Sequence, residues 1–155
     1  MAPAVRARSR GFTLIELMIT VVIMAILAGI SVAGYGQYVR RANRVDATSA
    51  LLRISTAQER FYLQSNTYAG NALLAEAPPD GLGMAGTEQG LYALAIEPDA
   101  AGLVVGYRAT ATAISTRGQG EDAACQVFSI DQSGKRSATA GGGAAGPEVT
   151  ARCWR

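Results

Sequence analysis

Two groups of residues are of types, and at spacings, that could do chemistry. The first is Gly11-Phe12-Thr13-Leu14-Ile15-Glu16-Leu17, in which one carboxylate, Glu16, stands at the start of an otherwise apolar run. A charge near the end of an apolar helix costs up to about 3 kcal/mol in a bilayer and usually has a partner. The plainer reading of Glu16 is a first-turn acid favoured by the helix dipole, which leaves its apolar setting unexplained. The second group is Cys125 and Cys153. They lack zinc or redox Cys-x-x-Cys spacing, so they form one disulfide behind an export segment or stay as buried thiols in a cytosolic protein. With no histidine in the chain, the commonest general base and the commonest metal ligand are both missing. Glu97 with Asp99, and Glu121 with Asp122, read as solubilising loop acids, too few in oxygens for a calcium site. Lys135 has no Ser-x-x-Lys context, and no glycine-rich phosphate loop follows a strand. The expectation is a non-enzymatic chain with no catalytic residues, no metal and no cofactor.

The elements that must position these groups begin with a long helix. The chain has 155 residues, which suits one domain plus an extended element. Net charge is +2, too small to argue for nucleic acid alone. Residues 12–33 are apolar nearly throughout, enough at about 1.5 Å per residue to cross a hydrocarbon core of about 30 Å. Beyond them Ala47, Leu51, Ile54, Ala57 and Phe61 recur at helical spacing, so 34–65 reads as amphipathic and should pack on something. Taken together, 12–65 would make a rod of about 80 Å, weakened locally by Gly29, Gly34 and Gly36. The cluster Arg40, Arg41 and Arg44 reads as a solvated face, with a subunit contact or a weak DNA-binding patch as lesser readings. A loop over 66–90 follows, with a short turn near Leu73 and Leu74. Strands are expected over 91–96, 103–113, 125–130 and 135–138, and Cys153 and Trp154 close the chain. Short turns between them favour an antiparallel meander covering the helical stripe.

With Arg6, Arg8 and Arg10 before it and no acid in the arm, the motif resembles the class III signal sequence of type IV prepilins. An ordinary signal peptide would carry its apolar core ahead of an Ala-x-Ala-like site, and Ala28-Gly29-Ile30-Ser31 fits that poorly. An uncleaved signal anchor is the other competitor. The resemblance implies that a prepilin peptidase cuts after Gly11, that Phe12 becomes the N-methylated first residue, and that Glu16 pairs with a neighbouring subunit's N-terminal amine. The run from Ala57 to Tyr68 is similar to PilE-type minor pilins, whose tyrosines are packing residues. So is the order of Cys125, a strand, the Asp131 to Lys135 turn and Cys153-Trp154. Where the family has a glycine and a proline in the helix this chain has Ala25 and Ala33, so unwinding on assembly is not carried over.

What the resemblance implies is an α+β type IV pilin fold: a long N-terminal helix on a four-stranded antiparallel sheet with a Cys125–Cys153 disulfide loop. The implied segments are a leader over 1–11, the helix over 12–65, the αβ-loop over 66–90 and the sheet with its disulfide-bounded region over 91–155. Basic residues flank the apolar run equally on both sides, and the motif breaks that tie by placing the arm inside and the head outside. The implied partners are other pilin subunits, prepilin peptidase, the inner-membrane assembly machinery and the membrane itself, with nucleic acid weakly supported. The implied location is the inner membrane with a periplasmic head, then the extracellular pilus, serving biogenesis, twitching motility, adhesion or DNA uptake. A pseudopilin of a type II secretion system shares the motif. A membrane-anchored periplasmic binding domain is the reading from a different class.

Overall fold

Helix α1, Leu14–Ser65, takes up a third of the chain and runs through Gly29, Gly34 and Gly36 without a break. The computed structural model describes residues 11–155, except for the side chains of 30–34. The expected leader falls on 1–10, outside the described residues, apart from Gly11. The chain divides into two units at Gln37 and Tyr38, and α1 contributes to both.

In the first unit every described side chain of α1 through Gly29 is exposed, Leu14 at 78% and Met24 at 71%. A helix that is apolar all round has no preferred face to bury against a domain of its own. Among the described residues no helix is long and apolar enough to cross a membrane. The expected span over 12–33 includes positions 30–33, whose side chains lie outside the described residues.

The second unit carries the head. The apolar stripe of α1 buries Ala47, Ala50, Leu51 and Ile54 completely or nearly so, with Ala57 and Phe61 half-buried beside them. They pack on a four-stranded antiparallel sheet in the order β1-β2-β3-β4: β1 Tyr92–Pro98, β2 Tyr107–Ala113, β3 Val127–Asp131 and β4 Arg136–Thr139. One row across its inner face is Leu94, Ala111, Phe128 and Ala138. Alanine on β2 and β4 alternates with large side chains on β1 and β3, a pattern that lets facing layers interdigitate.

α1 stops at Asn66, whose N–H still bonds to the Tyr62 carbonyl at 2.9 Å and whose φ of 52° is left-handed, a helix end that asparagine tolerates. The buried Gln58 side chain then donates to the Ala69 carbonyl and accepts from its N–H, both at 2.8 Å. The following loop is folded on itself. Leu82 N–H bonds to Leu73 and Met84 N–H to Leu74, and a Cβ at Gly81 would lie 2.4 Å from the Leu73 carbonyl.

One strand expectation is corrected. Residues 103–105 form a turn rather than the start of β2: Asp99 N–H bonds to Gly106, and Gly102, at φ 90°, accepts from Val105 and Gly106. The C-terminal segment, to which the sequence assigned no element, ends in a short helix, α2, Pro147–Cys153. Pro147 sits where its missing N–H costs nothing and its fixed φ suits a first helical residue. α2 lies along β4: Thr150 Oγ1 accepts from Ala138 N–H at 3.2 Å, and Trp154 Nε1 donates to the Ser137 carbonyl at 2.9 Å. On the opposite edge Asn71 Oδ1 accepts from Ile96 N–H at 3.0 Å.

Candidate functional site

The N-terminal motif folds as a helix start with a defined cap. Gly11, Phe12 and Thr13 precede α1 and are exposed. Thr13 Oγ1 accepts from the Glu16 backbone N–H at 3.3 Å, and the Thr13 carbonyl accepts from Leu17 N–H at 3.2 Å. Thr-x-x-Glu is the spacing of a capping box, a role that the reading of Glu16 as a dipole-favoured acid missed. The cap uses Glu16's backbone, and its carboxylate stays exposed with no ion pair among the described residues. A helix built this way presents one carboxylate on an apolar surface, with Gly11 and Phe12 just ahead in open backbone.

The residues just after Gln37 form a second constellation, and here two expectations are corrected. Arg44 is not on a solvated face. It is buried and grips Asp122 with two bonds, Nε to Oδ2 at 2.7 Å and Nη2 to Oδ1 at 2.9 Å. Asp122 is not a solubilising loop acid, because it also accepts from Gln119 Nε2 at 3.2 Å and the Ala124 N–H at 3.3 Å. Two charges leave water together here because a planar fork meets a carboxylate and both carboxylate oxygens take a further donor. Arg40 reaches the exposed Glu121 at 3.0 Å, and its carbonyl accepts from Gln119 Nε2 at 3.1 Å. Two residues past Arg44, buried Asp46 accepts from Gln89 and Leu91 N–H and so fixes the approach to β1. Burial pushes the Tyr92 hydroxyl far above its ordinary range; nearby Asp122 adds to this and Arg44 offsets part of it.

The helical period held a signal for these residues. Arg44, Ala47, Leu51, Ile54 and Gln58 follow one another at steps of three and four, so Arg44 and Gln58 belong to the buried stripe by position and require buried partners.

At the far end of the sheet Tyr62 stacks on Tyr68 at 4.6 Å, and Tyr68 meets Tyr107 at 4.9 Å. Burial raises the Tyr107 hydroxyl. These rings act as packing. Cys125 and Cys153 are bonded, with Cα atoms 5.7 Å apart, and both are buried. The bond joins the segment before β3 to the end of α2, beside Trp154, which packs on Phe128 and lies under the Arg136 guanidinium at 5.1 Å. Among the described residues no group of His, Cys, Asp or Glu side chains could hold a metal ion.

Residues 6–32 match the prokaryotic N-terminal methylation motif, and residues 33–129, more than half the chain, match the family described as type IV minor pilin ComP, DNA uptake sequence receptor. The chain belongs to the type IV minor pilin ComP family. The motif that folds as capped helix start and the head that buries the α1 stripe are thus parts of one pilin.

Among curated relatives, the type IV major pilin protein PilA of Myxococcus xanthus is 40% identical over 62 residues, 40% of this pilin and 28% of that protein. The type II secretion system core protein G of Pectobacterium carotovorum is 32% identical over 91 residues, 59% of this pilin and 48% of the relative. A fimbrial protein of Pseudomonas aeruginosa is 40% identical over 63 residues, 41% of each chain. This pilin therefore spans less than half the length of these relatives. A solved type IV pilin structure from Shewanella oneidensis matches with a TM-score of 0.44 at 24% identity, covering 63% of this chain and 89% of that one.

Proposed function

We propose that this minor pilin is made as a prepilin, cut between Gly11 and Phe12 by a prepilin peptidase and methylated on the Phe12 amine. It waits in the inner membrane with its head in the periplasm and then enters a type IV pilus through its N-terminal helix. The observation that carries this reading is the exposed apolar surface of α1 directly behind Gly11-Phe12-Thr13-Leu14-Ile15-Glu16-Leu17. Such a surface is stable only in lipid or against other apolar helices. Glu16 would pair there with a neighbour's amine, in a medium where opposite charges attract strongly. The apolar burial would drive association and the ion pair would set axial register. The role is one of structure and binding, with no catalytic step. Within that class DNA uptake is favoured over adhesion or twitching motility by the description of the matched family.

The N-terminal mass of the mature protein tests the processing step: it should begin at Phe12 with one added methyl. Substituting Gly11 by a bulky residue should leave full-length precursor in the membrane, and an unchanged mature mass in that variant would overturn the reading. For the DNA role, binding of duplex DNA by the full chain should weaken steeply as salt rises; binding no tighter than that of a pilin outside this family would remove it. The second reading, a pseudopilin, is favoured by the type II secretion core protein G relatives. The Cys125–Cys153 pair weighs for the pilin, and presence in sheared pili or in secretion pseudopili separates the two.

A further inference from the structure

Within the second unit, a cavity of about 320 Å³ is lined by Arg41 and Arg44 of α1, Ala124, and Arg152 and Arg155 of the C-terminal segment. Four of its five lining residues are arginines. The Arg44 guanidinium is already committed to Asp122. Arg41, Arg152 and Arg155 make no salt bridge among the described residues, although Glu148 precedes Arg152 by one turn of α2. Two acids just before Ala124 are used elsewhere: Asp122 by Arg44 and Glu121 by Arg40. Convergence of three unpaired cations on one concavity raises its potential, and such a cleft collects anions. Guanidinium forks match the oxygens of a phosphate, singly or bidentately.

The position of Arg41 in the chain selects among phosphate-bearing ligands. It follows Ala33, the end of the apolar run, by roughly two helical turns, which is the juxtamembrane location in which basic side chains meet anionic lipid. We propose that Arg41, Arg152 and Arg155 form a site for the phosphate of an anionic phospholipid headgroup, holding the head against the membrane surface before assembly. This rests on the membrane-held stage proposed above. The pinned Arg44 supplies a rigid floor, and the disulfide at Cys153 fixes Arg152 and Arg155 beside it. The site uses three charges that the buried ion pair leaves free.

The test uses the full chain in nanodiscs of phosphatidylcholine alone or doped with phosphatidylglycerol, with retained lipid read by native mass spectrometry. Phosphatidylglycerol should be retained over phosphatidylcholine by roughly tenfold or more, in a salt-sensitive way. The triple variant Arg41→Gln, Arg152→Gln, Arg155→Gln should lose that preference. A second triple variant, Arg53→Gln, Arg60→Gln, Arg117→Gln, removes equal charge elsewhere on the head and should keep it, with the disulfide and near-ultraviolet circular dichroism of both reporting an intact head. Equal loss in the two variants would show general electrostatics and overturn the site. So would a short duplex DNA that displaces the lipid at equal phosphate concentration, because the ligand would then be nucleic acid. Incorporation without any lipid preference would overturn this inference alone, whereas failure to enter either nanodisc would overturn the membrane-held stage with it.

Discussion

The first and second halves of α1 have the same backbone and opposite relations to their surroundings. Through Gly29 its side chains are exposed on every face. From Arg44 onward one stripe is buried against the sheet, while the rest faces outward. The hydrophobic driving force, about 25 cal/mol per Å² of apolar surface removed from water, is satisfied within the chain in the second half and left unspent in the first. A helix can thus be a core element and a docking element at once, with polar residues marking the change. Arg40, Arg44 and Asp46 sit where exposure gives way to burial, and each is tied to a loop of the head.

If the head is self-contained and the arm is not, variants in the head should alter unfolding while variants in the arm should not. The largest effect is expected from Asp122→Ala. It strands the buried Arg44 and should cost about 3–5 kcal/mol, read as a lower urea midpoint of the full chain in detergent. A loss below about 1 kcal/mol would mean that Arg44 escapes to water and that the head does not depend on this anchor. Cys153→Ser opens a link between positions 28 apart, worth roughly 3.5 kcal/mol in the chain-entropy account. Limited proteolysis should then cut first within 141–155 while α1 persists. Cleavage beginning in α1 instead would place the weak point outside the disulfide-bounded segment. Gln58→Met keeps the volume but removes both bonds to Ala69, an expected loss of about 1–3 kcal/mol, with amide exchange rising first at Ala69 and its neighbours.

On the other side of the comparison, Glu16→Ala should leave the unfolding midpoint of the head unchanged and still be processed, yet be poorly represented in sheared filaments. Wild-type incorporation would show that the carboxylate does not set register. The smallest effect concerns pH. Asp131 is opposed by partial burial, but the Ser133 hydroxyl and the N–H groups of Lys135 and Ser133 hold its carboxyl below the ordinary range. With a folded value below the unfolded one, its contribution is present above the ordinary Asp value of about 3.9 and is lost as pH falls through the lower folded value. The stability gap between wild type and Asp131→Ala should therefore narrow in acid, and a gap that widens there would reverse the assignment.

Much of this was legible in the sequence because hydrophobic period is a strong signal. The stripe through Ala47, Leu51 and Ile54, and the alternation of β2, each place side chains on one face whatever else the chain does. The arm was legible as a motif. The sequence reading erred where polar residues serve as interior parts. Asp122 and Arg44 are 78 positions apart, and nothing local in either tells that the other will arrive. Val104 and Val105 look like strand residues, yet Gly102 turns the chain at that point and leaves both exposed. α2 was hidden by the glycines ahead of it and by its small size, and it is held by a disulfide and by β4 rather than by its own propensity.

The bonds that Thr150, Trp154 and Asn71 make to the outer strands have a consequence for a protein whose family forms polymers. An open sheet edge is a template for another chain's strand, and crowding of many heads would multiply such encounters. Here part of each margin is already occupied, by Asn71 at Ile96 and by Thr150 and Trp154 at Ala138 and Ser137. Under the assembly proposed above, ordered growth is left to the helical arm, and edge-to-edge pairing of heads is disfavoured. Peeling away the C-terminal segment would uncover the β4 edge and offer its free backbone groups to another chain's strand.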